Sequence, residues 1–260
     1  MYTRIESSKN EHIKNIKKLY MKKYRDEQGL FLAEGRKLFS EAVLNKAEIL
    51  TVIIGDTLFE EEKELIDKIS DKKIIIVPDL VLEQLSEQKN PEGVITVIKK
   101  QCTDIENALK ETKVALLLDE IKDPGNMGTI IRSADAFGAN AIIISPNCVD
   151  VFSPKVIRAS MGSCFHVHFI LSENIIEDIE KTKNFGFTLI AGDLNGHDNI
   201  ESINKSLIAI GSESHGLSQE ILKKADILYK IPMRGKAESL NASVAASIML
   251  YDICNKVYTY

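Results

Sequence analysis

Apolar residues in the first hundred positions recur with two different spacings. Between residues 9 and 23 they return every three or four positions opposite lysines, which predicts an amphipathic helix. Four short apolar runs predict strands, at residues 30–33, 49–54, 74–77 and 94–98. Three segments between these runs have helical spacing, at residues 34–45, 58–69 and 79–84. Strands that alternate with helices over so short a stretch indicate a compact α/β domain.

The pattern changes after a polar stretch at residues 101–113. Continuous apolar runs follow, at residues 114–118, 141–144, 187–191, 206–210 and 227–231. Segments with helical spacing lie among these runs. One ends at residue 137, and the others span residues 174–181, 218–224 and 240–257. Such runs are typical of a parallel sheet that helices cover on both faces. We therefore predict a small α/β domain over 1–105, a linker over 106–113 and a parallel-sheet α/β domain over 114–260.

Composition argues against several classes of protein: disulfide-rich, metal-binding, membrane and secreted proteins. The chain has 260 residues, of which 44% are hydrophobic and 27% charged, as expected of a folded protein with a proper core. Its four cysteines are far apart and its five histidines form no metal-ligand pattern, so we expect neither a disulfide framework nor a bound metal. The apolar runs are too short to span a bilayer, and the first residues lack a signal core. We expect a soluble cytoplasmic protein with no membrane partner.

Charge is unevenly distributed along the chain. The net charge is −5, yet residues 1–25 contain eight basic and two acidic residues and are therefore +6. A basic end on an acidic body is one form that a binding surface for a polyanion takes. A solvated lysine-rich helix face explains the same pattern, and charge alone leaves both interpretations open.

Ligands of open α/β sheets bind beyond the carboxyl ends of the strands, so loops at these positions are candidate sites. The first such loop, at residues 119–132, contains a Pro-Gly turn, then Asn126 in a position to cap the next helix, and Arg132 among apolar neighbours. The second, at residues 208–217, has two glycines around a short polar stretch that contains Glu213. Tight turns and helix capping are the structural alternatives for the glycines and for Asn126.

A third loop, at residues 231–241, leads into a helix that begins with small residues. Ser239 is predicted to cap that helix. The three loops contain neither a dinucleotide-binding G-x-G-x-x-G nor a P-loop, and Ser214 is one position too far from Gly211 for a serine-hydrolase elbow. No single loop identifies a chemistry.

Taken together, the three loops resemble a known family. The segments DPGNMGTIIRSADAFG, IGSESHGL and IPMRGKAESLNASVAASIMLY are similar to the three motifs of the SpoU (TrmH-type) RNA ribose methyltransferases of the SPOUT superfamily, over residues 114–257. Residues 1–100 resemble the small substrate-binding domain that often precedes that domain. The resemblance implies a trefoil-knotted α/β fold, a homodimer, S-adenosylmethionine as methyl donor and a ribose 2′-hydroxyl of RNA as acceptor.

The resemblance also implies roles for individual residues. By motif position, the catalytic group comprises Asn126, Arg132, Glu213, Ser239 and Asn241. The cofactor-binding positions are Gly211, Ile231, Met233 and Leu240. The arginine of the family is often described as the base, but a guanidinium keeps its proton up to about pH 12. We therefore favour a phosphate-anchoring role for Arg132, which the dimer partner could supply, and leave the proton acceptor open among water, a substrate phosphate and Glu213.

Several alternatives stay open at this point. The pair of domains resembles the ribosomal members of the family, which favours ribosomal RNA over transfer RNA by analogy. A non-catalytic RNA-binding protein with a degenerate SPOUT fold is disfavoured because the five catalytic positions are intact. A methyltransferase that acts on a base nitrogen or on protein is a further alternative. The sequence does not identify the nucleotide that is modified.

Overall fold

A computed structural model describes residues 2–69, 71–200, 203–212 and 214–258. The chain divides into two compact units, Met1–Lys100 with Asp150–Phe165 and Gln101–Val149 with His166–Tyr260, called unit 1 and unit 2 below. Residues 150–165 therefore lie in unit 1, although they come from the middle of the second predicted domain. The predicted domain limits at residues 105 and 114 stay a prediction.

Strands and helices are numbered in chain order. The strands are β1 Tyr2–Arg4, β2 Leu30–Glu34, β3 Ile49–Gly55, β4 Lys73–Val77, β5 Val94–Lys99, β6 Val114–Leu118, β7 Ala141–Ile144, β8 His168–Leu171, β9 Thr188–His197, β10 Ser206–Ile210 and β11 Ile227–Tyr229. The α-helices are α1 Glu11–Lys18, α2 Lys22–Gln28, α3 Arg36–Leu44, α4 Asp56–Glu61, α5 Lys63–Asp67, α6 Asp79–Leu85, α7 Ile105–Leu109, α8 Pro124–Phe137, α9 Pro154–Ala159, α10 Ile175–Asn184, α11 Gln219–Lys224 and α12 Ala242–Val257.

Unit 2 is built on a six-stranded sheet with the order β11-β9-β10-β6-β7-β8. Every neighbouring pair in this sheet is parallel. The central strands β6 and β10 are buried along their whole length, which is why their sequences are continuous apolar runs. The predicted parallel-sheet α/β fold is confirmed, and the trefoil knot implied by the resemblance stays a prediction.

Unit 1 contains a five-stranded mixed sheet with the order β1-β4-β3-β5-β2. The strand β5 runs antiparallel to both of its neighbours, whereas β4 is parallel to both β1 and β3. The edge strand β1 was not predicted, because its three residues are all exposed and form no apolar run. Elsewhere in this unit strands and helices alternate as predicted, although the helix predicted over residues 58–69 is divided at Glu62 into α4 and α5.

The helix predicted over residues 9–23 is two helices, α1 and α2, separated by a turn. The side chain of Arg25 lies at this break, where its guanidinium donates to the carbonyl oxygens of Leu19 at 2.9 Å and Tyr20 at 2.7 Å. These carbonyls lie just beyond the last turn of α1, where backbone oxygens lack helical partners. The same guanidinium pairs with Asp150 at 2.6 Å, and Arg25 is only 3% exposed. The buried guanidinium thus satisfies carbonyl oxygens that would accept backbone N–H groups if the helix continued.

Within the part of the chain that the structure describes, no helix is both long enough and apolar enough to cross a membrane.

Candidate active site

A cavity of about 520 Å³ lies in unit 2 where the strands β9, β10 and β11 end. It is lined by residues 192–195 near the end of β9, by residues 211, 212 and 214–217 after β10, and by the loop at residues 231–240, and the first turns of α12 form a wall. Because all six strands are parallel, their carboxyl ends share one edge of the sheet, where such sites are expected. The volume is in the range that accommodates one cofactor-sized molecule. This cavity is the candidate active site.

The loop after β10 is a tight turn closed by two backbone hydrogen bonds. Ser212 N donates to Gly216 O at 3.1 Å, and Gly216 N donates to Ser212 O at 2.9 Å. A Cβ atom at Gly211 would lie 2.1 Å from the carbonyl carbon of Gly216, so a side chain cannot fit there without moving backbone. Glu213, predicted to be catalytic, lies outside the described residues. The turn brings the backbone of residue 211 to the cavity.

Asp119 positions this turn from the neighbouring strand. It follows β6 directly, is 6% exposed, and accepts a hydrogen bond at Oδ2 from Ser218 N at 3.0 Å. Its own N–H donates to Ile210 O at 2.9 Å. A buried carboxylate that accepts a backbone N–H makes a strong, charge-assisted hydrogen bond. Asp119 is not among the site residues predicted from the sequence, although a carboxylate directly after five apolar residues is a usable signal.

The structure brings Asn126 and Asn241 together. The Asn241 amide nitrogen donates to Asn126 Oδ1 at 3.0 Å, and Asn241 lies between Leu240 and Ala242, which both line the cavity. The side-chain oxygen Oδ1 of Asn241, the N-cap residue of α12, at the same time accepts a hydrogen bond from Ser243 N at 2.9 Å. The two side chains therefore form a fixed pair beside the cavity.

Two predicted helix caps are wrong. Pro124 is the first residue of α8, so the capping position falls on Asp123, which accepts from Asn126 N at 2.8 Å. Asn126 therefore does not cap that helix. Ser239 does not cap α12 either, since Asn241 occupies the N-cap position. Ser239 instead lines the cavity.

The other predicted positions divide into two groups. The cofactor positions Gly211, Ile231, Met233 and Leu240 all line the cavity. Arg132 is not among the lining residues and belongs to the exposed stripe of α8, together with Thr129 and Ala136. Among the described residues its guanidinium has no hydrogen-bond or ion-pair partner. The cavity of one chain is thus formed without Arg132.

Next to α8, the helix α12 presents apolar side chains to solvent. Val244 is 46% exposed, Ile248 38% and Tyr251 60%, and their spacing places them on one face. The two helices pack on each other through Ser133 Oγ and Ser247 Oγ at 2.7 Å and through the rings of Phe137 and Tyr251, whose centroids are 5.9 Å apart. A contiguous exposed apolar face of this kind is typical of an interaction surface.

Sequence reasoning missed polar residues of the cavity, among them Asp193, Asn195 and Glu238. The first two follow the predicted strand 187–191, so the rule that selected the other three loops would have found them. Tyr229 also lines the cavity, and its hydroxyl donates to Asp252 Oδ2 at 2.8 Å. Burial and the carboxylate of Asp252 raise the pKa of Tyr229 to about 12, so its phenol is a neutral donor near pH 7.

Comparison with known proteins gives consistent matches. The family model described as the SpoU rRNA methylase family matches residues 113–251, and that of the MRM3-like substrate binding domain matches residues 10–96. The 23S rRNA (guanosine(2553)-2′-O)-methyltransferase RlmP of Bacillus subtilis is 30% identical over 252 residues, which cover 96% of this chain and 98% of the relative.

Two solved structures resemble the fold closely. The AdoMet-bound rRNA methyltransferase from Sinorhizobium meliloti superposes with a TM-score of 0.90 at 30% identity, covering 100% of this chain and 99% of that chain. The SpoU methyltransferase AviRb from Streptomyces viridochromogenes, in complex with the cofactor AdoMet, gives a TM-score of 0.86 at 27% identity, covering 96% and 99%. Both matches extend over both units.

Proposed function

The chain belongs to the SpoU rRNA methylase family, and we propose that it methylates a ribose 2′-hydroxyl of ribosomal RNA with S-adenosylmethionine as donor. The observation that carries the proposal is the cavity at the strand ends, which the predicted cofactor positions line. The family and the cofactor implied by the resemblance are confirmed, since a relative over nearly the whole chain is a 23S rRNA 2′-O-methyltransferase and a similar structure holds AdoMet.

The residues of the cavity fit S-adenosylmethionine. The turn that begins at Gly211 brings backbone to the wall of the cavity, which suits the edge of an adenine. Met233 and Leu240 supply apolar surface, and the carboxylates of Asp193 and Glu238 suit a positively charged ligand. We assign Gly211, Ile231, Met233 and Leu240 to the cofactor, as the resemblance implies. When bound, the cofactor supplies a methyl group already activated by a sulfonium.

The chain's own residues then have to place the acceptor oxygen. Methyl transfer is an in-line displacement, so alignment of the oxygen, the methyl carbon and the sulfur supplies much of the rate. We propose that Asn126 and Asn241, held together at 3.0 Å, and Ser239 position the ribose at the rim of the cavity. The proton of the 2′-hydroxyl passes to water, to a substrate phosphate or to Glu213.

We propose that Arg132 anchors a phosphate of the RNA at the site of a second subunit. Its guanidinium is exposed, lies outside its own chain's cavity lining, and has no ion-pair partner among the described residues. A planar guanidinium fork suits a phosphate better than it suits proton abstraction. The exposed apolar face of Val244, Ile248 and Tyr251 on the adjacent helix is the proposed homodimer interface.

RNA recognition is assigned to residues 1–105, whose first 25 residues carry the charge of +6. We propose that this region is the substrate-binding domain, that 106–113 is the linker and that 114–260 is the methyltransferase domain. A ribosomal substrate supports the expected location in the cytoplasm. No metal takes part in the proposed reaction.

Mapping of ribose methylation in total RNA, with and without the gene, tests the choice of substrate. The proposal expects one or a few 2′-O-methyl positions to disappear from ribosomal RNA in the deletion strain and to return when the gene is restored. Loss of a methyl group from transfer RNA with unchanged ribosomal RNA would contradict the assignment to the ribosome and favour the transfer RNA alternative.

A further inference from the structure

We propose that the corner between α1 and α2 binds an unpaired nucleotide of the RNA, with its base stacked on the ring of Tyr24. This inference rests on the proposed function and deepens it, because it assigns a single-stranded target to the substrate-binding unit. The corner comprises Lys18 at the end of α1 and residues 22–24 at the start of α2.

Tyr24 combines an accessible aromatic ring with two cations. The residue is half-buried on α2, and the ammonium groups of Lys18 and Lys23 lie 5.8 Å and 5.9 Å from its ring centroid. Exposed lysines at such distances gain little from the ring and can move aside at small cost. A base that stacks on the ring would bring its own phosphates within reach of both ammonium groups. Aromatic stacking beside basic side chains is the general mode by which proteins hold single-stranded nucleic acid.

The backbone that carries Tyr24 is fixed by its neighbour. Arg25 is buried and joins α2 to the end of α1 through the carbonyl oxygens of Leu19 and Tyr20. Its ion pair with Asp150 at 2.6 Å ties α2 to the segment 150–165 of the same unit. Because the ring starts from a fixed backbone, little conformational entropy is lost when a base stacks on it.

The charge around the ring favours a polyanion. Lys14 and Lys23 pair with Glu11 at 3.0 Å and Glu27 at 3.8 Å, but both pairs are exposed and therefore weak. Among the described residues, the ammonium of Lys22 has neither a hydrogen-bond nor an ion-pair partner. An acidic protein surface or an RNA duplex would bind these lysines without using the ring of Tyr24. An unpaired base would use the half-exposed ring as well, because it can stack on it.

The test compares two RNAs of equal length, a single strand with 2-aminopurine at its centre and a fully paired hairpin, bound by the full-length protein. Tyr24→Leu removes the ring and keeps apolar bulk, whereas Tyr24→Phe keeps the ring. We expect Tyr24→Leu to weaken single-strand binding about tenfold, equivalent to about 1.4 kcal/mol, and to leave hairpin binding unchanged. Tyr24→Phe should bind both RNAs as the wild type does. Quenching of 2-aminopurine should accompany wild-type binding and disappear in Tyr24→Leu.

Two control variants complete the design. Tyr2→Leu removes another exposed tyrosine of unit 1, one that contacts Phe59 rather than lysines, and should leave both affinities unchanged. Lys22→Gln should weaken both RNAs equally, as loss of a phosphate contact would. Equal weakening of both RNAs by Tyr24→Leu, or no weakening, overturns the stacking site. Binding of a poly-glutamate peptide that depends equally on Tyr24 also overturns it.

These outcomes are separable from the proposed function. Binding of S-adenosylmethionine and methyl transfer by the wild type are measured in parallel with RNA affinity. If the wild type transfers no methyl group while Tyr24→Leu still loses only single-strand affinity, the proposed function fails and the stacking site stands. If the wild type methylates RNA and Tyr24→Leu binds both RNAs normally, the stacking site fails alone.

Discussion

Replacement of Gly211 by alanine should weaken cofactor binding on the order of 100-fold without unfolding the protein. The added Cβ would lie 2.1 Å, 2.2 Å and 2.3 Å from three backbone atoms of Gly216 and Leu217. Carbon atoms in contact prefer a separation of about 3.5 Å, so the turn has to open by roughly 1.2 to 1.4 Å. Backbone atoms cannot rotate away as a flexible side chain would.

The size of the effect follows from what the turn loses. Opening it breaks the two hydrogen bonds between Ser212 and Gly216, each of which contributes about 1 kcal/mol, so the free energy of unfolding should fall by about 2 kcal/mol. A displacement of about 1 Å in a preorganised site costs on the order of 100-fold in function, and we expect a similar loss of affinity for S-adenosylmethionine.

Isothermal titration calorimetry with S-adenosylmethionine measures the affinity, and thermal unfolding checks that the variant is folded. Gly186→Ala is the control, because Gly186 has a positive φ of 84° but has no atoms within 4 Å of the added Cβ and lies outside the cavity lining. It should lose about 1 kcal/mol of stability from backbone strain and bind the cofactor normally. A folded Gly211→Ala protein that binds S-adenosylmethionine within a few-fold of the wild type would refute the steric argument.

Three further predictions concern other parts of the molecule. Arg132→Ala should stop methyl transfer and leave cofactor binding, measured by calorimetry, intact. Arg132→Lys should raise the apparent KM for RNA and keep a rate that is flat from about pH 7 to 10. A lysine acting as the base would titrate in that range and give a rate that rises with pH, which would contradict the anchoring role. Arg25→Ala should lower the free energy of unfolding by about 3–5 kcal/mol in chemical denaturation, because it leaves the carboxylate of Asp150, 11% exposed, without its cation; a loss below about 1 kcal/mol would contradict a buried pair. Burial, together with the hydrogen bond to Asp252, raises the pKa of the Tyr229 phenol to about 12. The contribution of the neutral phenol to stability should therefore be complete below about pH 10 and fall as the pH rises toward 12. The Tyr229→Phe variant should lack this alkaline dependence in thermal unfolding, and an identical dependence in both proteins would exclude Tyr229 as its source.

Much of unit 2 could be predicted from the sequence because its strands are buried on both faces. The five residues of β6 and of β10 are all buried, and the apolar runs that result mark where each strand ends and each site loop begins. Loop position alone therefore selected most of the cavity lining. Asp193 and Asn195 were missed although Gly192 and Gly196 flank them, because β9 continues to His197 as a polar strand beyond the apolar run 187–191.

Other features depend on contacts that local patterns do not contain. In the sequence Arg25 is one more cation of a basic segment, yet in the structure it is buried against Asp150, 125 positions away, and bonds the carbonyl oxygens that follow α1. The cap of α8 was misplaced by three residues because a proline at the first helical position and an asparagine at the third both suit a helix start. Asn241 caps α12 and also donates to Asn126, and the two residues are 115 positions apart in the sequence. No local pattern contains that contact.

The central claim is that the cavity of unit 2 directs a methyl group to a ribose 2′-oxygen. The direct measurement incubates the protein with methyl-labelled S-adenosylmethionine and unmodified ribosomal RNA, hydrolyses the product in alkali, and locates the label. Alkaline cleavage requires a free 2′-hydroxyl, so the account predicts label only in alkali-resistant dinucleotides, and none with Asn126→Ala. Label in mononucleotides would place the methyl group on a base and contradict the account.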